Sequence, residues 1–356
     1  MQEFSRGIPE RTVGLDLGDR NSVYCIVDRE GEVIERGQVA TRPGALLERF
    51  SRMPASRVVL EVGTHSPWVS RLLVGCGHEV VVANARQLQL ISKSTTKSDR
   101  SDAEMLARLG RMDPYLLHPI QHRGEQVQAD RALLRARDAL VRARTSLILS
   151  VRGQVKSFGE RLPSCSAEAF ASKAAAQLPE VLREALAPAV EQIHGLTQQI
   201  REYDRLVESA GRERYPETEG LRQIAGVGAL TAVAYVTTIE DPERFATSRE
   251  VGLFFGLVLR RDQSGERDPR LGITKVGDAY LRRLLVQAAH YILGPFGPDC
   301  ELRRYGERIL EQGGRGAKRR AVVVVARKLA VLLHRLWISG VTYEPWHRTE
   351  PSQRAA

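Results

Sequence analysis

Apolar and polar residues alternate in three short runs near the start of the chain, Thr12 to Leu17, Ser22 to Val27 and Glu32 to Val39. Turn formers at Gly18-Asp19-Arg20-Asn21 and Asp28-Arg29-Glu30-Gly31 separate them, which predicts an antiparallel meander. Helical and strand-like periods then alternate. Helices are expected around Ala45 to Phe50, Trp68 to Val74, Ala85 to Ile91 and Asp102 to Arg111, with strands at Val58 to Val62 and Glu79 to Ala83. Three strands followed by alternating helix and strand predict a mixed sheet flanked by helices.

Asp113-Pro114 closes this region, and from Glu125 the pattern becomes helical. Leu133, Leu140 and Leu147 recur every seven residues, as do Leu134, Val141, Ile148 and Val155, among many arginines. A second stretch carries Leu186, Ile193, Ile200 and Val207 at the same spacing. Such seams predict a long amphipathic, coiled-coil-like middle, satisfied by an antiparallel hairpin or by a dimer. Its arginine-rich face suits a solvated surface or a nucleic-acid strip. After Tyr215-Pro216 a mostly helical third region begins. There Gly226 and Gly228, in Ile224-Ala225-Gly226-Val227-Gly228, suit a helix-hairpin-helix element whose backbone N–H groups approach a phosphate, or an ordinary turn between helices. The expected division is 1–115, 116–215, 216–340 and an irregular tail, 341–356.

Composition narrows the partners. With 53 Lys and Arg against 43 Asp and Glu, the net charge of +10 favours a polyanion, nucleic acid first. Cys25, Cys76, Cys165 and Cys300 lie far apart, which fits a reducing cytoplasm and argues against structural zinc. Neither a signal segment nor a membrane span is expected.

Candidate chemistry rests on four carboxylates. Asp16 ends the first strand and Glu61 the fourth, while Asp99 and Asp102 stand three apart at the mouth of a helix. Together they suit Mg²⁺ or Mn²⁺, and two such ions can stabilise the attacking and leaving oxygens of a phosphodiester. Aspartate in a first helical turn is also a common cap, so the pair alone fits either reading. Lys97 and Arg100 beside the pair suit a phosphate. Ser264, in Gln263-Ser264-Gly265, sits among Arg260, Arg261 and Arg267, where a hydroxyl serves as a nucleophile or merely turns the chain. Lys318, Arg319 and Arg320 form a basic loop before the last helix. No zinc or phosphate-loop spacing is present.

The strand and helix order is that of ribonuclease-H-like folds. Val13-Gly14-Leu15-Asp16, Leu60-Glu61-Val62-Gly63-Thr64, Lys97-Ser98-Asp99-Arg100-Ser101-Asp102-Ala103, Ile224 to Gly228, Phe255-Gly256-Leu257-Val258, Gln263-Ser264-Gly265 and Ile273-Thr274-Lys275-Val276-Gly277 occur in one order along the chain. Together they resemble the bacterial transposases of insertion sequence family 110, which join an amino-terminal DEDD domain, similar to the RuvC-like Holliday-junction resolvases, to a carboxy-terminal serine domain. The resemblance implies Mg²⁺ on Asp16, Glu61, Asp99 and Asp102, a phosphoserine link to DNA through Ser264, and nucleic-acid contact near Lys275. It also implies guidance by a noncoding bridge RNA, element-end and target DNA as partners, and dimers that pair into tetramers. A cytoplasmic protein bound to the nucleoid follows. The rival expectations are a resolvase-like nuclease that uses water, with Ser264 a turn residue, and a non-catalytic nucleic-acid-binding protein.

Overall fold

The three alternating runs fold as strands β1 (Arg11–Asp16), β2 (Asn21–Asp28) and β3 (Val33–Ala40) in a computed structural model that describes residues 4, 7–84, 99–260 and 272–346. Helix α1 (Pro43–Ser51), strand β4 (Arg57–Glu61), helix α2 (Ser66–Gly75), strand β5 (Glu79–Ala83) and helix α3 (Asp99–Met112) follow. The expected helix at Ala85 to Ile91 lies outside the described residues. The sheet order is β3-β2-β1-β4-β5, with β1, β4 and β5 parallel and the β1–β2–β3 meander antiparallel. The mixed sheet predicted from periodicity is therefore present.

Strand alternation sorts the side chains to two faces. Val13, Leu15, Val58 and Leu60 meet Leu46 and Phe50 of α1 and Val69 and Leu73 of α2. The opposite face receives α3. Cys25 and Val27 pack on Ala103 and Ala107, and Val59 and Val81 pack on Leu106. Two glycines let α3 lie close. A Cβ on Gly14 of β1 would stand 1.9 Å from the Ala103 carbonyl oxygen, and one on Gly110 of α3 would stand 2.2 Å from Val59 Cγ2. Fully buried Arg57 fixes the far end of α3 by donating to the Gly110 carbonyl at 2.9 Å while pairing with Glu79 at 2.6 Å.

Residues 1–123 form one compact unit and 124–356 a second. The second unit opens with α4 (Glu125–Ser157), the short α5 (Phe170–Ala175) and α6 (Glu180–Arg214). Arg214 pairs with Asp130, Asp204 with Arg137, and Thr197 with Arg144, so partner numbers fall along α6 as they rise along α4. The two helices are an antiparallel hairpin within the chain. Arg131, Arg135, Arg137, Arg142, Arg144 and Arg152, the arginines of the face that suits a solvated surface or a nucleic-acid strip, all pair with groups of this unit: Asp278, Asp204, Asp138, Glu168 and the carbonyls of Leu162 and Pro163, and Arg142 stays largely exposed.

Helices α7 (Thr218–Leu221), α8 (Ala229–Ile239), α9 (Glu250–Phe254), α10 (Ala279–Leu293), α11 (Glu301–Glu311) and α12 (Ala317–Ser339) enclose a core of Tyr235, Phe255, Leu281, Leu285, Leu329 and Leu333. The buried Tyr235 hydroxyl donates to the Ala330 carbonyl at 2.6 Å, which satisfies it without water. Residues 341–346, expected to fray, are irregular but tied down. Glu301 N donates to the Pro345 carbonyl, Tyr343 N donates to Gln223, and the Arg304 guanidinium lies 4.0 Å from the Trp346 ring centroid. Among the described residues no helix is long and apolar enough to cross a membrane.

Candidate active site

Gly14 faces α3, so Asp16, two residues on, faces it too. Leu15 pairs with Leu60 across the parallel β1–β4 ladder, which sets Glu61 beside Asp16 at the carboxyl ends of neighbouring strands. Asp99 and Asp102 occupy the first turn of α3, the helix pressed onto this face. Their acidity is favourable at a helix N-terminus, so local structure and site geometry agree. Asp16 feels the whole set: burial first, then Asp99, Asp102 and Glu61, raise its pKa from 3.8 to about 6.

Four carboxylates offer hard oxygen donors, and a divalent cation would reverse the repulsion felt at Asp16. The donor chemistry therefore fits Mg²⁺ or Mn²⁺. Among the described residues, no three His, Cys, Asp or Glu side chains are gathered closely enough to hold an ion as they stand. Binding would have to draw the carboxylates together against that repulsion. Asp28 accepts from Gly31 N and Glu32 N, each at 2.8 Å, as a turn residue should. His65 accepts from the Trp68 indole at 3.2 Å and lies 3.4 Å from Asp19.

In the second unit, Ser264, Arg261 and Arg267 lie outside the described residues, as does Lys97 in the first. The residues on either side of that segment, up to Arg260 and from Gly272, form a described stem. Arg260 N donates to Gly272 O and Thr274 N to Val258 O, both at 2.9 Å, and Leu259 bridges Ile273. Gly256 closes this stem with φ +64, where a Cβ would stand 2.4 Å from the Val276 backbone. Lys275 adopts φ +56, and Arg282 donates to the Phe255 and Val276 carbonyls at 2.9 and 2.8 Å.

The remaining basic and glycine positions divide. Gly226 has φ +85 and packs toward Ala288 and Tyr291 of α10, so the turn belongs partly to the core. Gly228 stands in open space at the start of α8. Arg320 donates to the Gly313 and Arg315 carbonyls at 2.6 and 2.9 Å, holding its own loop, while Lys318 and Arg319 are exposed. Exposed Arg260 and Arg100 face solvent. Sequence reasoning missed Arg36 and Gln38 on the edge strand β3, which share the face of the acidic site, Gln38 in the row of Asp16 and Arg36 in the next. No local spacing signals them.

The comparisons with known proteins bear on both units. A DEDD-type IS110 model described as a transposase matches residues 13–159, and a model described as transposase of the IS116/IS110/IS902 family matches residues 218–299. The chain is 26% identical over 345 residues to the transposase for insertion sequence element IS1111A of Coxiella burnetii, covering 94% of this chain and 91% of that protein. It is 29% identical over 313 residues to the transposase for insertion sequence element IS1328 of Yersinia enterocolitica, covering 86% and 87%. A probable family 20 transposase of Pseudomonas aeruginosa is 26% identical over 341 residues, covering 94% and 98%. Fold and likeness together define an enzyme of DNA recombination, with DNA as its partner. The chain belongs to the IS110 family of transposases.

Proposed function

We propose that this transposase cuts and rejoins DNA strands by a Mg²⁺-dependent, serine-mediated transfer directed by a noncoding bridge RNA. One observation carries the metal half: Asp16 and Glu61 stand side by side beneath the helix that begins with Asp99 and Asp102, and Asp16 responds to all three. When bound, Mg²⁺ supplies charge stabilisation at the phosphate oxygens. Ser264 Oγ attacks phosphorus, a serine–phosphate bond replaces the broken P–O bond, and the proton leaves with the displaced DNA oxygen. Because one ester replaces another, rejoining needs no added energy source.

Arg260, Arg261 and Arg267 hold the scissile phosphate in this reading. Lys97 and Arg100 of the first unit, and Lys275, Gly228 and the Lys318–Arg319 pair of the second, each contact nucleic-acid backbone, with Gly226 and Arg320 shaping their turns. The first unit is RuvC-like, the coiled-coil hairpin within residues 116–215 contacts a second subunit and RNA through its outer faces, and residues 216–340 form the serine domain with a helix-hairpin-helix element. Subunits act as dimers that pair into tetramers.

The experiment is incubation with guide RNA, Mg²⁺ and cognate DNA, followed by denaturing separation. A covalent protein–DNA adduct is expected from the wild type and none from Ser264→Ala. Cleaved DNA without adduct would instead support water as the nucleophile, and an equal adduct from the alanine variant would sink the serine mechanism. Cleavage unaffected by chelation would remove the metal.

A further inference from the structure

The acidic row continues across the sheet. Asp16 pairs with Val23 of β2, and Val23 pairs with Gln38 of β3, so Gln38, Val23, Asp16 and Glu61 follow one another on the face that α3 covers. The next row places Arg36 opposite Cys25. A groove of about 670 Å³ lies here, lined by Val23, Arg36, Gln38, Asp99 and Arg100 among others, and it reaches the acidic set at Asp99.

The charge on its walls is of the opposite sign to that set. Glu104 accepts from Arg36 at 2.7 Å and from Arg108 at 2.9 Å, so two guanidiniums share one carboxylate and the trio remains positive. Arg36 is held on its inner side yet leaves 51% of its side chain exposed. Exposed Arg100 adds a second charge at the mouth of the groove. A basic groove that opens onto carboxylates suits a polyanion whose backbone tracks the arginines while one phosphate reaches the acidic set.

We propose that this groove, from the β3 edge to Asp99, binds the backbone of the DNA single strand presented to the acidic site, with Arg36 and Arg100 on its phosphates and Gln38 against its sugar or base. The proposal rests on the reading of Asp16, Glu61, Asp99 and Asp102 as the cleavage site, but its test reads binding and needs no cleavage.

Fluorescence anisotropy with a labelled single-stranded DNA, the matching duplex and the matching RNA, each titrated in chelator at several salt concentrations, measures it. The double variant Arg36→Ala/Arg100→Ala should lower the salt slope for single-stranded DNA by about 1.4, at about 0.7 for each lost phosphate contact. Between about 50 and 200 mM salt the wild type would then lose roughly seven-fold more affinity than the variant. Arg36→Lys keeps the charge and should keep most of the slope, which separates lost contact from a disturbed fold. A reagent on Gln38→Cys that cross-links to nucleic acid should capture DNA in the wild-type background and lose it in the double variant. An unchanged slope, a loss confined to duplex or to RNA, or no capture from position 38 overturns the proposal. If the adduct experiment fails while these results hold, the groove stands and the serine chemistry does not.

Discussion

Replacing Asp16 with Asn removes the charge that burial and three neighbouring carboxylates oppose, while keeping the side chain's size. The pKa is raised from 3.8 to about 6, which corresponds to about 3 kcal/mol against the ionised folded state. The group is only partly buried, so screening reduces the figure to about 1–2 kcal/mol. The direction follows from the proton balance. Above pH 6 the folded state carries the full cost of an ionised Asp16; the cost shrinks as pH falls and vanishes below the unfolded value of 3.8. In chelator at pH 7.5 the Asn variant should therefore be the more stable protein, by a melting shift of roughly 3–8 °C. At pH 3.5 the two melting temperatures should converge. Added Mg²⁺ should reverse the order, because a cation stabilises the wild-type set and finds one donor fewer in the variant. Thermal unfolding by circular dichroism, with and without Mg²⁺ across this pH range, measures all three. A variant less stable than the wild type in chelator at pH 7.5 would refute the reasoning, and a Mg²⁺ response equal in both proteins would remove Asp16 from the ligand set.

Gly14→Ala forces a Cβ to within 1.9 Å of the Ala103 carbonyl, so α3 must move off the sheet. The expected cost is about 3 kcal/mol or more in unfolding titrations, together with weaker Mg²⁺ stabilisation because Asp99 and Asp102 ride on α3. Asp278→Ala removes the side chain that accepts from Tyr280 N and Leu281 N at the start of α10 and that pairs with Arg131 and Arg135. A loss of about 2–4 kcal/mol is expected in denaturant titrations at pH 7. Burial pushes the Asp278 pKa up, but the Leu281 N–H and the Arg131 and Arg135 guanidiniums outweigh it and hold the group below its ordinary value. Its contribution is therefore lost only as pH falls through that lowered range, where the variant and wild-type curves should meet.

Local periodicity alone determined the strands, their order along the chain, the helix that starts at the aspartate pair and the helical second half, because spacings of two and three to four residues are set by backbone geometry. The four acidic positions were legible for the same reason: each ends a strand or opens a helix. Tertiary structure decided what no local spacing encodes. The β1–β2–β3 register carried Gln38 into line with Asp16 and Arg36 into the neighbouring row on the same face, although they lie on a separate strand with an unremarkable pattern. Packing bound Arg131, Arg135, Arg137, Arg144 and Arg152 to partners many residues away, and so withdrew much of the arginine strip from an outside partner. It also turned Gly226 toward α10 while leaving Gly228 open. Charge sets a residue's affinity for phosphate, but long-range contacts decide whether that charge faces a strand of DNA or a carboxylate of its own chain.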